Sequence, residues 1–155
     1  MNLREDKSWA YGVRTRLGEE KGQRAMLVTA PVQTDKTSES MAEIVKEYSD
    51  YLSTKPITQD ELTKGKASKT LRLPGQFETL GALKGGVSGI VTYDRDLDYL
   101  DQLPALLDEP SLTQVQAKAQ KYIKPNQWTW LIVGDLSKIE EPIRALGLGE
   151  VKVIK

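Results

Sequence analysis

The chain reads LREDKSWAYG over residues 3–12, and this stretch leads directly into the first predicted strands. It lies in a sequence of 155 residues that contains no histidine and no cysteine. Serine and cysteine triads need an imidazole, and ordinary zinc sites need imidazole or thiolate ligands, so this chain alone supports neither chemistry. Arg4 and Tyr11 remain as two hydrogen-bond donors within the stretch. A guanidinium and a phenol can hold and polarise a carbonyl oxygen, but neither readily activates water at neutral pH.

Length and composition predict one domain over residues 1–155, because 39% hydrophobic residues in 155 suffice for a core. Lysine plus arginine equals aspartate plus glutamate at 22 each, so net charge gives no reason to expect nucleic acid or an anionic membrane as partner. No apolar run reaches the length of a membrane span. A short basic cluster (Arg14, Arg16, Lys21, Arg24) is interpreted as a solvated hairpin face.

The first half of the chain has the pattern of a hairpin followed by a helix. Residues 9–17 and 23–33 are predicted to be antiparallel strands joined by a loop between Gly18 and Gly22. The stretch Thr34 to Thr37 offers side-chain oxygens where a helix should begin. The residues that follow with the spacing of one helical face are Met41, Ile44, Val45, Tyr48 and Leu52.

The second half is predicted to be mostly helical. Thr58 and Glu61 have the spacing of a capping box, and Pro74 with Gly75 should end the helix that they begin. Further helices are predicted over 76–92, over 93–107 despite Pro104, from a capping box of Thr113 and Gln116, and from Ser137. Residues 127–133 are apolar on both alternating faces and predict a strand covered on both sides, and residues 150–154 predict a short closing strand.

Several other patterns resemble binding or catalytic sites and fail on inspection. Asp94, Asp96 and Asp98 have calcium-loop spacing, but Tyr99 and Ala105 stand where glycine and glutamate are required. The glycines of residues 85–89 lack the spacing of a phosphate loop and indicate close packing.

Two further pairs receive a structural interpretation. Trp128 and Trp130 could stack a ligand but are typical of a core strand. Ser40 with Lys36 could form a serine-lysine pair, but we expect Ser40 on an exposed helix face. On sequence alone, Arg4 and Tyr11 are a surface ion pair and a half-buried strand tyrosine.

The stretch over residues 3–12 resembles the insulinase/pitrilysin family of zinc metallopeptidases, in the C-terminal repeat that carries no zinc. Four later stretches resemble the family in the same order: APVQTDKT at residues 30–37, LPGQFET at residues 73–79, WLIVGD at residues 130–135 and ALGLGEV at residues 145–151. The likeness therefore covers essentially the whole chain.

The resemblance implies an α+β fold, with a mixed, largely antiparallel β-sheet packed by helices. Family repeats face each other across a closed chamber, and one repeat carries an inverted zinc motif, His-x-x-Glu-His, that the other has lost. A chain without histidine resembles the second kind, so no metal site is expected here and zinc is expected in the partner repeat. The resemblance further implies that Arg4 and Tyr11 reach into the facing active site, bind substrate backbone and help stabilise the oxyanion.

Family repeats begin well before this motif, so the resemblance implies that the N-terminal part is missing and that Met1 lies inside a larger repeat. A sheet without its first strands would expose an edge and favour self-association. We expect a bacterial peptidase half that is inert alone, its longer protein in the periplasm or the cytoplasm, with the periplasm favoured. The alternative is a structural or peptide-binding module in an assembly with no active zinc repeat.

Overall fold

A computed structural model describes residues 2–154, apart from the side chain of Gln76, and divides the chain into two compact units. One unit combines residues 1–54 with 123–155, and the other spans residues 55–122. The predicted α+β class is confirmed, since the described residues combine helices with a small antiparallel sheet. The sheet is smaller than expected and has two strands. None of the described helices is long and apolar enough to cross a membrane.

The first unit contains the hairpin that the sequence predicts. Strand β1 (Arg14–Leu17) pairs antiparallel with β2 (Met26–Thr29), with Arg14 opposite Thr29 and Leu17 opposite Met26. The residues of β2 alternate between half-buried and exposed, as expected for a strand with one covered face. Both strands are shorter than predicted, and an isolated bridge between Ala10 and Val32 continues the pairing beyond them.

Helix α1 (Thr37–Leu52) provides the core of this unit. Ile44 packs with Leu3 and Ala10 in one apolar cluster, while Met41 packs with Ile139 and Ile143 of helix α6 (Leu136–Ala145) in another. The apolar face predicted from the sequence is therefore confirmed.

Ser40 does not lie on an exposed face of α1, as the sequence analysis expected. It is 2% exposed, and its hydroxyl has no hydrogen-bond partner among the described residues. A small side chain is accommodated there because α1 is covered on that side by neighbouring residues of its own unit.

The prediction of strands over residues 127–133 and 150–154 is wrong. Residues 128–133 alternate between half-buried and exposed side chains, but no described backbone group pairs with them. Only one face is covered, since Leu131 is 84% exposed and Val133 is 92% exposed. Residues 150–154 also lack ladder hydrogen bonds among the described residues. A strand needs a neighbour with which to exchange backbone hydrogen bonds, and the described chain supplies none here.

The second unit consists of helices α2 (Gln59–Thr70), α3 (Leu80–Tyr93), α4 (Tyr99–Asp108) and α5 (Leu112–Tyr122). The predicted capping box of α2 is confirmed: the Glu61 backbone N–H donates to the Thr58 hydroxyl, and the Thr58 backbone N–H donates to Glu61 Oε2 at 2.9 Å. The capping box of α5 lies two residues earlier than predicted. Ser111 and Gln114 form it: the Ser111 backbone N–H donates to the Gln114 side-chain oxygen at 2.8 Å, and the Gln114 backbone N–H donates to the Ser111 hydroxyl at 3.3 Å.

The glycines of α3 have different environments. A Cβ atom on Gly86 would lie 3.1 Å from the Phe77 ring, so close packing is confirmed at this position. A Cβ atom on Gly85 would meet nothing within 4 Å. Asp94 ends α3 in the left-handed conformation, with φ of 51°.

We expect Thr58→Ala to lower the free energy of unfolding by about 1 kcal/mol, since the Glu61 backbone N–H would lose its acceptor. Urea denaturation measures this loss. Thr113→Ala is the matched control, because Thr113 lies inside α5 and caps nothing, so it should leave stability unchanged or raise it slightly. Equal losses in both variants would contradict the assignment of the cap.

The capping box also predicts a dependence of stability on pH. Hydrogen bonds from the Thr58 backbone N–H and then its hydroxyl lower the pKa of Glu61 from its ordinary value of 4.5. A depressed carboxyl pKa stabilises the fold above the unfolded value, and this stabilisation is lost as the pH falls through the folded value. Glu61→Gln should therefore flatten the stability profile below pH 4.5, as measured by urea denaturation at a series of pH values.

Candidate functional site

The candidate site is built on a tight turn at the start of the chain. Residues Asn2–Asp6 form one turn of π-helix, and the carbonyl oxygen of Leu3 accepts hydrogen bonds from the backbone N–H groups of Trp9 and Ala10, at 2.9 Å and 3.1 Å. Ser8 reverses the chain with φ of 54°, in the left-handed region that non-glycine residues rarely adopt. The Leu3 side chain is buried against Ala10 and Ile44, so apolar packing also holds the turn in place.

Polar contacts fix this turn to helix α1. The Asn2 side-chain amide donates to Glu43 and, at 2.7 Å, to Glu47. The ammonium of Lys7 lies 3.4 Å from a carboxylate oxygen of Glu43. Two residues of the turn therefore share one carboxylate, and the turn cannot slide along α1 without breaking these contacts.

The segment that follows β2 holds the other side of the turn. The backbone N–H of Gln33 donates to the Trp9 carbonyl at 2.9 Å, and its side-chain amide donates to the Ser8 carbonyl at 3.0 Å. The bridge between Ala10 and Val32 lies beside them. Residues 8–10 are therefore held in place by backbone as well as side-chain hydrogen bonds.

Arg4 and Tyr11 come together on the outside of this turn. The guanidinium carbon of Arg4 lies 5.7 Å from the centroid of the Tyr11 ring, within the range of a cation–π contact. Tyr11 is 87% exposed and lies outside the strands, so the interpretation as a half-buried strand tyrosine is wrong. The sequence alone did not place the two side chains together, because the reversal at Ser8 leaves no recognisable residue pattern.

An open cavity of about 520 Å³ lies at this position. Arg4 and Tyr11 line it, and so do residues from the turn and from the segment after β2: Ser8, Trp9, Ala10, Pro31, Val32 and Gln33. Its volume is in the range of pockets that bind small molecules, and it is open to solvent on one side. The sequence analysis missed Trp9 and Gln33 as site residues, although both lie within the stretches that carry the family resemblance.

Two lysines flank the Trp9 ring at the edge of this site. The ammonium groups of Lys7 and Lys36 lie 4.6 Å and 5.7 Å from the ring centroid. Lys36 also donates to Glu39 at 2.9 Å; this hydrogen bond raises the pKa of Lys36 and lowers the pKa of Glu39. Both lysines therefore carry a carboxylate partner as well as the ring, and they hold Trp9 against α1.

The chemistry available at the cavity is donation of hydrogen bonds. Arg4 contributes a fixed positive charge, Tyr11 a phenol, and Gln33 an amide, and no lining residue is a general base near neutral pH. Among residues 2–154 no group of three or more aspartate, glutamate, histidine or cysteine side chains could hold a metal ion. The residues of this chain therefore do not fit a zinc site.

The other patterns considered in the sequence lie outside this cavity. Trp128 packs edge-to-face on Tyr48 and Trp130, with centroids 4.8 Å and 5.9 Å away, and both tryptophans contact the Ile44 cluster. Their interpretation as core residues is confirmed.

Residues 1–69 match the protein family described as the peptidase M16 inactive domain. Residues 1–69 therefore carry the sequence of an insulinase-family inactive domain. The family resemblance found in the sequence is confirmed over these residues. The family is described as inactive, that is, as a non-catalytic domain. No curated protein sequence matches the chain.

The fold is similar to that of a solved structure, the crystal structure of a peptidase M16 inactive domain from Pseudomonas fluorescens. The TM-score is 0.69 at 18% sequence identity, and the match covers 80% of this chain. At 18% identity, this likeness shows that the two chains share a fold. The match covers only 29% of the solved chain, so this chain spans less than a third of that protein's length.

The left-handed conformation of Ser8 predicts the effect of a substitution at the site. Ser8→Gly should raise the free energy of unfolding by up to about 1 kcal/mol, because glycine adopts positive φ without the steric cost of a Cβ atom. Chemical denaturation monitored by tryptophan fluorescence measures the change. Ser49→Gly, in the last turn of α1, is the control and should lower stability. A loss at Ser8 as large as that at Ser49 would contradict the strain assigned to the turn.

Proposed function

We propose that this chain is the non-catalytic, substrate-binding half of a zinc metalloendopeptidase. Arg4 and Tyr11 contact the backbone of a bound peptide near the scissile bond and help stabilise the negative charge that develops on its carbonyl oxygen. One observation carries the proposal: the Arg4 guanidinium and the Tyr11 ring lie side by side, 5.7 Å apart, at an open cavity.

The rigidity of the turn supports this role. Donors stabilise a transition state most when they are already oriented before the substrate arrives, because no reorganisation is then required. The backbone between Arg4 and Tyr11 is fixed through the Leu3 carbonyl, through Glu43 and through Gln33. The two side chains nevertheless point into solvent, where a ligand from outside the chain can reach them.

The chemistry of the cavity supports a function in which this chain binds substrate and a partner repeat supplies the catalytic metal. Arginine and tyrosine can bind and polarise a peptide carbonyl, but hydrolysis also needs an activated water, and no residue that lines the cavity is suited to activating it. We place zinc on a partner repeat of the same or another chain, which supplies the metal and the general base. This chain would close the chamber around the peptide.

The same cavity also suits the alternative function, a peptide-binding module in an assembly without an active zinc repeat, because it contains donors and no base. The two functions differ in the partner. The open reading frame that encodes the longer protein, or a neighbouring one, should contain His-x-x-Glu-His if the chain serves a peptidase. Stoichiometric zinc binding by this chain alone would contradict both functions.

Reconstitution with the matching zinc repeat tests the roles of the two residues. We expect Arg4→Ala and Tyr11→Phe each to lower kcat/KM for a fluorogenic peptide by about 10²-fold, the usual effect of removing one oxyanion donor. Tyr11→Phe keeps the ring under the guanidinium, so it removes the hydroxyl alone.

The controls repeat the same changes away from the cavity. Arg72→Ala removes an exposed arginine, and Tyr122→Phe alters a 67% exposed tyrosine that also lies against a cation, the ammonium of Lys121 at 5.2 Å. Both control variants should keep full activity. Unchanged turnover in Arg4→Ala and Tyr11→Phe would refute the proposed roles.

A further inference from the structure

The hairpin of β1 and β2 has one face directed toward helix α1 and one face directed away from it. Val28 packs on the Ile44 cluster. Thr15 lies directly opposite Val28, and its hydroxyl is 2.6 Å from the Tyr48 hydroxyl of α1, within hydrogen-bond distance. Residues that lie opposite each other in a ladder project to the same face of a sheet. Thr15 and Val28 therefore mark the inner face, and the other face is the outer face of the hairpin.

The outer face of the hairpin is continuous with the cavity of the candidate site. Residues 26–33 alternate without interruption between half-buried and exposed, and the strand pairing continues past β2 to the bridge at Val32. Successive side chains of an extended chain project to opposite sides, so the exposed residues of this stretch share the outer side. They are Leu27, Thr29, Pro31 and Gln33. The last two line the cavity, and the first two continue away from it along β2.

Two arginines of the basic cluster found in the sequence lie on this outer face. The ladder places Arg14 opposite Thr29 and Arg16 opposite Leu27. Both arginines are exposed. Because Thr29 follows Pro31 at the edge of the cavity, Arg14 is the nearer of the two to the cavity, and Arg16 lies one step farther along the same face.

The positive charge of this face is not neutralised within the hairpin. Among the described residues, no carboxylate lies within ion-pair distance of the Arg14 or Arg16 guanidinium. The carboxylates of the hairpin itself, Glu19 and Glu20, lie in the loop beyond the end of β1 that is far from the cavity. The residues that line the cavity include no aspartate or glutamate either. A negatively charged ligand would therefore find both guanidinium groups available.

The spacing of the two arginines matches the repeat of an extended peptide. Arg14 and Arg16 are two residues apart on one strand, which corresponds to about 7 Å. An extended peptide has the same repeat, so two acidic side chains that are two positions apart project to one side and can each reach one guanidinium. Arginine binds a carboxylate through two parallel hydrogen bonds, which gives the contact direction as well as charge.

We propose that the outer face of the hairpin extends the peptide site and selects acidic substrates. An extended peptide segment lies along this face, and two of its carboxylates, two positions apart, contact Arg14 and Arg16. The inference rests on the proposed function, because it places the bond to be cleaved at Arg4 and Tyr11 and the acidic residues a few positions away, toward one end of the peptide. A peptide with basic residues at these positions is disfavoured by charge repulsion.

Fluorescence anisotropy of labelled peptides with the full chain tests the inference. Two acidic probes carry a pair of glutamates two positions apart, near the N-terminus in one probe and near the C-terminus in the other, and each has a counterpart with glutamines. One acidic probe should bind about tenfold more tightly than its counterpart, because each exposed ion pair contributes up to about fivefold. About 0.5 M NaCl should remove this preference, since exposed charges are screened by salt.

Single substitutions assign the preference to the two arginines. Arg14→Gln and Arg16→Gln should each lower the preference to about threefold and leave the affinity for the glutamine probe unchanged, because each variant loses one ion pair. A variant that damaged the fold would instead weaken the binding of both probes. Arg72→Gln is the matched control: it removes an exposed arginine of the other unit, with the same change in net charge, and should keep the full preference.

Three results would overturn the inference. The first is equal affinity for the acidic and glutamine probes, and the second is a preference that Arg72→Gln reduces as much as Arg16→Gln does. The third is a thymidine oligonucleotide that binds as tightly as the acidic probe, which would show a face for any polyanion. A failure of the proposed function is distinguishable, because it would appear as unchanged turnover of Arg4→Ala and Tyr11→Phe in the reconstituted peptidase, whatever the charge of the peptide.

Discussion

The burial of Ile44 on helix α1 is the contact on which the candidate site depends. Leu3 and Ala10 pack on it from the turn at the start of the chain, and Trp128 and Trp130 pack on the same cluster from the end of the chain. Removing the Leu3, Ala10 and Ile44 side chains from water offsets the loss of conformational entropy when this short irregular segment is ordered. Arg4 and Tyr11 are held at the surface because Leu3 and Ala10, next to them in sequence, are fixed inside.

The polar contacts of the turn fix the orientation of residues 3–11 against helix α1. Apolar packing is non-directional and would tolerate several orientations of residues 3–11. Only one of these orientations allows the contact with Glu43, the hydrogen bonds to the Leu3 carbonyl and the hydrogen bonds from Gln33. A binding site assembled in this way is oriented by its scaffold, and the exposed side chains need only be long enough to reach a ligand. Arginine and tyrosine meet that condition and carry donors at their ends.

Near the other end of the chain, the same unit contains a segment, residues 128–133, whose backbone groups have no backbone hydrogen-bond partner among the described residues. These residues nevertheless half-bury their inner side chains as a strand does. Side-chain burial and backbone pairing are separate requirements, and the described chain meets only the first. Side-chain packing on the Ile44 and Met41 clusters therefore holds this segment in place without a strand ladder among the described residues.

Local chemistry in the sequence determined much of the fold. The apolar spacing of α1, the capping box at Thr58 and Glu61, and the stop at Pro74 and Gly75 each act within a few residues, so one sequence suffices to recognise them. The family stretches at residues 3–12 and 30–37 identified the kind of domain over residues 1–69, and the absence of histidine and cysteine removed the usual zinc ligands. Where two polar pairs overlapped near Ser111, the sequence could not show which one caps the helix.

Tertiary structure alone decided the features that depend on distant partners. The burial of Ser40 depends on what covers α1, and the missing ladder at residues 128–133 depends on which strands lie alongside it. The meeting of Arg4 and Tyr11 depends on the left-handed turn at Ser8, which no residue preference indicates and which persists because Gln33 and the Leu3 carbonyl hold it. The sequence by itself therefore determined what kind of domain this is and which side chains could serve it. Only the tertiary structure placed those side chains together, because burial and hydrogen bonding over long separations in sequence leave no local pattern to read.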